Sequence, residues 1–258
     1  MSVDPRARCI VLPTAEALAE DAAQRFARAA SEAIHSRGEF VVALSGGTTP
    51  RTLYARLAAP PYASTVPWSE AAVLWGDERC VPPDDPASNY RMAREALLDH
   101  VPIPAAHVHR IRGEDDPVAA ARAYEQTLRS ALRTPRGPPR DAPGARIDLV
   151  LLGLGDDGHT ASLFPGVPAF TDGDPWVVAH YVAAVSQWRV TLTPVIINAA
   201  AEVLFLVSGG AKAAVVRRVL EGPPRPHELP AQLIAPADGR VLWLLDAAAA
   251  RDLEGQSP

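Results

Sequence analysis

The sequence predicts an α/β protein, a single domain on a mostly parallel open sheet flanked by helices on both faces in the Rossmann-like manner. Three observations carry that expectation. Short apolar runs recur that each end in glycines or charged residues and lead into helically spaced stretches, and repeated strand, loop and helix units imply parallel pairing. Residues 14–37 are Ala-rich with apolar positions at helical intervals, enough for a long covering helix. The 258 residues, 48% of them hydrophobic, can bury a large core without staples or metals.

The elements come in this order. Residues 9–12 form an apolar run of four before Pro13, too short for a signal-peptide core or a membrane span, so a cytoplasmic protein with no membrane contact is expected. The helix over residues 14–37 stops at Gly38, the usual residue past a helix end. FVVALSGG, from residue 40, reads as a strand ending in glycines, and TPRTLYARLA opens a helix with Pro50 near its start, where a missing N–H costs nothing. AAVLWGDER (residues 71–79), RIDLVLLGLGDDGHTASLF (146–164) and VLFLVSGGAKAAVVRRVLEG (203–222) repeat the pattern, with His159 expected at a helix start. TPRGPPRDAPGA (134–145) and GPPRPHELP (222–230) read as surface loops, and VLWLLDAAAA (241–250) as a last strand running into a short helix.

A formal net charge of −5, from 25 Lys+Arg against 30 Asp+Glu, offers no basic field for nucleic acid, so an anionic ligand must be held by a few local donors. Cys9 and Cys80 are far apart and fit neither a disulfide framework nor a zinc site, and no histidine pair shows metal-ligand spacing with a third ligand. No metal is therefore expected.

Several motifs carry chemistry. Ser45, Gly46, Gly47, Thr48 and Thr49 lie between a strand and a helix, where N–H groups converge on the positive end of the helix dipole and suit a phosphate. The same glycines also suit an ordinary βα turn. Ser208, Gly209 and Gly210 echo them, followed by Lys212, a compact charge that a bound phosphate would explain. Asp77, Glu78 and Arg79 cluster at a strand's carboxyl end, with Arg79 suited to an anion fork or to an internal ion pair. Residues 153–158 match G-x-G-x-x-G, but Pro165 and Pro168 soon break the chain after it, which argues against a dinucleotide site. His159 comes directly after that loop, where the dipole of the expected helix disfavours imidazolium. A neutral imidazole there can serve as a general base, with Asp157 orienting the ring. Ser162 sits in no G-x-S-x-G elbow, so direct attack by water is the simpler reading.

The order ALSGGTTP, WGDERCVPPDDPASNYRMA, LGLGDDGHTASLFPG, RVTLTPVIINAA and FLVSGGAKA resembles the 6-phosphogluconolactonase family, which shares a fold superfamily with glucosamine-6-phosphate deaminases. The resemblance covers nearly the whole chain. It implies hydrolysis of 6-phospho-D-glucono-1,5-lactone to 6-phospho-D-gluconate with no cofactor, by a monomer whose partner is a small sugar phosphate. It further implies that Ser45, Gly46, Gly47, Thr48, Arg79, Arg189 and Lys212 bind phosphate or sugar hydroxyls, that Asn89 shapes the pocket, and that His159 activates water. Asp77 corresponds to a proton-abstracting carboxylate of the deaminases and is expected to position groups here. The deaminases are similar through D-G-H but carry Glu before the next proline, where this chain has Phe164. A deaminase-like isomerase and a non-catalytic sugar-phosphate sensor remain the alternatives.

Overall fold

The computed structural model describes residues 7–133, 146–167, 170–171 and 173–254. The proline-rich stretch 134–145 and Pro168 therefore lie outside the described residues.

A six-stranded parallel sheet forms the centre, in the order β1-β9-β8-β5-β2-β3. Its strands are β1 (Ala7–Leu12), β2 (Phe40–Leu44), β3 (Ala71–Trp75), β5 (Leu149–Leu152), β8 (Glu202–Val207) and β9 (Arg240–Asp246). Every residue of β2, β3, β5 and β8 is buried, as expected for parallel strands covered on both faces. The long helix α1 (Ala15–Arg37) starts at Thr14, whose side chain accepts the Ala17 N–H at 3.2 Å. It ends at Gly38 in the left-handed region (φ 76°), whose N–H reaches Ile34 O at 2.7 Å. Its buried stripe of Leu18, Ala22, Phe26, Ala30 and Ala33 repeats at helical spacing and packs on β2, β9 and α2 (Thr48–Leu57). After the short α3 (Tyr62–Thr65) the remaining helices are α4 (Asn89–Ala96), α5 (Pro117–Arg133), α6 (Pro194–Ile197), α7 (Ala213–Leu220) and α8 (Ala247–Ala250). No helix among the described residues is long and apolar enough to cross a membrane.

Two features differ from the sequence expectation. The charged residues after β3 are not a loop but a three-residue strand, β4 (Asp77–Arg79), which pairs antiparallel with β7 (Gln187–Leu192), itself paired with β6 (Val177–Val182). This second sheet escapes sequence reading because Asp77, Glu78 and Arg79 have poor strand propensity and their partners lie more than a hundred positions away.

The expected helix after β5 is also absent, so His159 is not at a helix start. Gly158 (φ 88°) and Ala161 (φ 47°) place two left-handed residues close together, Thr160 and Leu163 close a tight bridge, and Pro165 prevents extension. With no helix there, no helix dipole acts to keep His159 neutral.

Candidate active site

A cavity opens where the winding of the chain reverses. From β2 the chain passes to β3 on one side, whereas from β5 it proceeds to β8 and β9 on the other. Connections diverge there and leave a crevice at the carboxyl ends, the usual ligand position in an open α/β sheet. The cavity measures about 230 Å3. Its walls are residues 45–50 after β2, Asp77, Arg79 and Asn89 after β3, residues 153–155 and 159–161 after β5, and the end of β8 (Leu206 and Val207) with Ser208 and Lys212 beyond it.

The first wall is an uncapped helix start. Gly47 is the N-cap of α2 at φ 105°, and having no side chain it leaves the first-turn N–H groups without the usual capping acceptor. A buried phenol holds the turn in place: Ser45 N–H donates to Tyr54 Oη at 2.9 Å, and that hydroxyl donates back to Ser45 O at 2.7 Å. Burial raises the Tyr54 phenol far above its usual range, so it stays a donor. Tyr124 clamps Trp75, the last residue of β3, in the same two-way manner at 2.7 and 3.0 Å. Gly46 is required by close approach, because a Cβ there would lie 1.9 Å from Asn89 Oδ1.

Opposite this loop stands His159. Its Nδ1 lies 2.6 Å from Asp157 Oδ1, and its backbone N–H donates to the same oxygen at 3.0 Å. Partial burial pulls the Asp157 carboxyl up, but the His159 N–H and the imidazole outweigh it and hold the carboxyl below its ordinary value. An ionised carboxylate only accepts, so it selects the imidazole tautomer with the proton on Nδ1, in which Nε2 carries the lone pair. Gly155 makes room for this ring: a Cβ there would fall 2.0 Å from His159 Nδ1. Phe164 stacks on the imidazole, with centroids 4.2 Å apart and planes 23° apart.

A buried polar chain joins the two walls. Asn89 Nδ2 donates to Asp77 Oδ1 at 3.1 Å, and Ser162 Oγ donates to Asp77 Oδ2 at 2.6 Å. Glu78 fixes Asn89 by accepting backbone N–H bonds from Asn89 and Tyr90 at 2.7 and 2.8 Å; burial pushes its carboxyl up against the pull of these donors. Beside the chain, Arg79 faces Arg189 across β4 and β7, and Arg189 faces His180 across β7 and β6. Arg79 Nε, Arg189 Nε and His180 Nε2 are buried with no hydrogen-bond partner, an arrangement that a nearby anion would relieve. Burial and the neighbouring Arg79 lower the Arg189 guanidinium.

The model of the family described as glucosamine-6-phosphate isomerases/6-phosphogluconolactonase matches residues 13–243. The chain belongs to that family. The 6-phosphogluconolactonase of Synechocystis sp. is 42% identical over 224 residues, covering 86% of this chain and 88% of that protein. The 6-phosphogluconolactonase of Haemophilus influenzae is 36% identical, covering 94% and 98%. Among solved structures, the 6-phosphogluconolactonase from Trypanosoma cruzi superposes with a TM-score of 0.82 at 30% identity, covering 98% of both chains.

Of the residues singled out in this family member's sequence, Ser45, Gly46, Gly47, Thr48, Asp77, Arg79, Asn89, His159 and Lys212 line the one cavity. Asp157 and Arg189 do not: Asp157 bonds the imidazole at Nδ1, and Arg189 is the cross-strand partner of Arg79. Lys212 closes a 3-10 turn (Gly210–Lys212) ahead of α7, and its Nζ pairs with Asp156 Oδ1 at 2.5 Å. Sequence reasoning missed Tyr54, Gly155 and the structural part of Ser162. Only Gly155 carried a signal, as a glycine four residues before the histidine.

Proposed function

We propose that this protein is a 6-phosphogluconolactonase, hydrolysing 6-phospho-D-glucono-1,5-lactone to 6-phospho-D-gluconate in the oxidative pentose phosphate pathway. One observation carries the reading: the imidazole of His159, backed by Asp157, shares a cavity with the uncapped glycine turn of residues 45–49. The names of the curated relatives support the same activity.

In the mechanism, the substrate phosphate docks on the N–H groups and hydroxyls of residues 45–49, with Lys212 adding charge, and this remote binding holds the lactone carbonyl near His159. Nε2 takes a proton from water as the water oxygen attacks the carbonyl carbon. Asp157 stabilises the imidazolium that forms. The N–H groups of Gly155 and Gly158 are already bonded to His159 O and Gly155 O, so Arg79 is the better donor toward the tetrahedral oxyanion. When the ring C–O bond breaks, the imidazolium returns its proton to the leaving ring oxygen. The reaction involves no change of oxidation state and no carbanion, and we assign it no metal or organic cofactor.

The protein acts as a one-domain monomer in the cytoplasm on a free sugar phosphate. A contiguous hydrophobic cluster links α1 to α8, as in one domain, and Cys9 and Cys80 are free thiols, as in a reducing compartment. With a net charge of −5 it has no nucleic-acid partner.

Acid release from freshly prepared lactone is the test. Wild type releases a proton per lactone opened, and His159→Ala lowers kcat by roughly 100-fold or more with little change in KM. Ammonia released from an amino sugar phosphate would instead make the protein a deaminase, and neither product would leave a sugar-phosphate sensor.

A further inference from the structure

We propose that Phe164 is a positioning residue whose ring sets the plane of the His159 imidazole, so that Nε2 faces the cavity. This rests on the reading of His159 as the general base. Asp157 alone does not fix that plane. It holds one atom, Nδ1, at 2.6 Å, and the imidazole can still roll about that contact. Asp157 is also only two residues away, and its side chain is 44% exposed.

The face of Phe164 supplies the missing constraint. Centroids 4.2 Å apart with planes at 23° are in contact along the ring faces, so any roll of the imidazole separates or clashes the two rings. The chain between them is built to deliver that face. Ala161 adopts φ 47°, an uncommon conformation for a residue with a Cβ, and Leu163 N–H closes on Thr160 O at 2.9 Å. Buried neighbours hold that strained turn: Ser162 donates from Oγ to Asp77 at 2.6 Å and from N–H to Thr191 Oγ1 at 3.2 Å, and Leu163 is fully buried. Phe164 is thereby folded back over the residue five positions earlier.

The ring pair is also a partition. His159 lines the cavity that holds the glycine turn, whereas Phe164 and Asp157 line a separate apolar hollow with Val178 and His180. Replacing the ring by a small side chain joins the hollow to the imidazole and lets the base turn away from the attacking water.

The test compares Phe164→Ala, Phe164→Leu and Phe164→Tyr in the full chain with 6-phosphogluconolactone, together with their melting temperatures. A base displaced by about 1 Å loses roughly 100-fold in rate, so Ala is expected to lower kcat by about 30–100-fold and Leu by about tenfold, with KM within about twofold. Tyr keeps a flat face and restores most of the activity. Leu fills the same space without such a face, so a Leu variant with wild-type kcat overturns the proposal. The proton NMR signal of the His159 ring gives a second readout. It lies upfield in wild type because of the Phe164 ring current and moves downfield in Phe164→Leu; an unchanged signal also overturns the stacking. If His159→Ala itself remains active, the general base is misassigned, a separate failure that these variants do not mimic.

Discussion

Two turns of the same sequence, Ser-Gly-Gly at residues 45–47 and at 208–210, have different fates in this fold. The first begins α2 with Gly47 as an N-cap that has no side chain, and its serine is held through the backbone by Tyr54. Residues 45–50 line the cavity, and no side chain caps the first turn of α2. In the second, Ser208 Oγ donates to Asp246 Oδ2 at 2.5 Å, and Gly209 N–H donates to the same carboxylate at 3.0 Å. Asp246 also caps α8 by accepting the Ala249 N–H at 2.7 Å. The positive φ shifts by one residue as well, from Gly47 (105°) to Gly209 (97°). On the proposed reading, a glycine turn serves as an anion site only when the neighbouring strand end leaves its donors free. The second turn contributes Lys212 instead.

That contrast can be broken by substitution. The largest effect is expected from Gly46→Ala, whose Cβ collides with Asn89. Displacing the turn by even about 1 Å lowers kcat/KM roughly 100-fold, whereas Gly209→Ala, with open space around it, incurs only backbone strain and stays within about fivefold. Steady-state kinetics on both variants checks this.

Asp246→Ala leaves the Ser208 hydroxyl and two backbone N–H groups without their acceptor and is expected to reduce unfolding stability by about 2 kcal/mol in urea denaturation, with KM little changed. A sharp fall in KM would instead show that the carboxylate alone keeps the second turn from binding phosphate. Lys212→Ala removes one charged contact and should raise KM about tenfold with kcat nearly intact. An unchanged KM would confine Lys212 to its pair with Asp156. The smallest effect belongs to Ser208→Ala, within about twofold in KM, against a several-fold rise for Ser45→Ala.

The same contrast separates local from distant information in the sequence. The parallel sheet is legible because apolar runs ending in glycine mark strand ends locally, and Thr14, Gly38 and Pro50 punctuate helices by their own chemistry. Both Ser-Gly-Gly turns are legible as turns. Which one keeps its donors free is not, because Asp246 reaches the second from 37 positions away and Tyr54 meets the first only after α2 has folded back. His159 is legible as the proposed base by residue type and by its neighbour Asp157. Its setting is not: the stretch after it looks helical, yet Gly158, Ala161 and Pro165 make a knot of turns, and the stack of Phe164 on the imidazole exists only within that knot. The Asp77, Ser162 and Asn89 chain joins three segments that no local pattern relates.

A crystal structure with 6-phosphogluconate bound tests the central claim most directly. The predicted result is a phosphate within hydrogen-bond reach of residues 45–49 and Lys212, and a C1 carboxylate beside Nε2 of His159 and the Arg79 guanidinium. A phosphate seated on residues 208–210, or a carboxylate remote from His159, would contradict it.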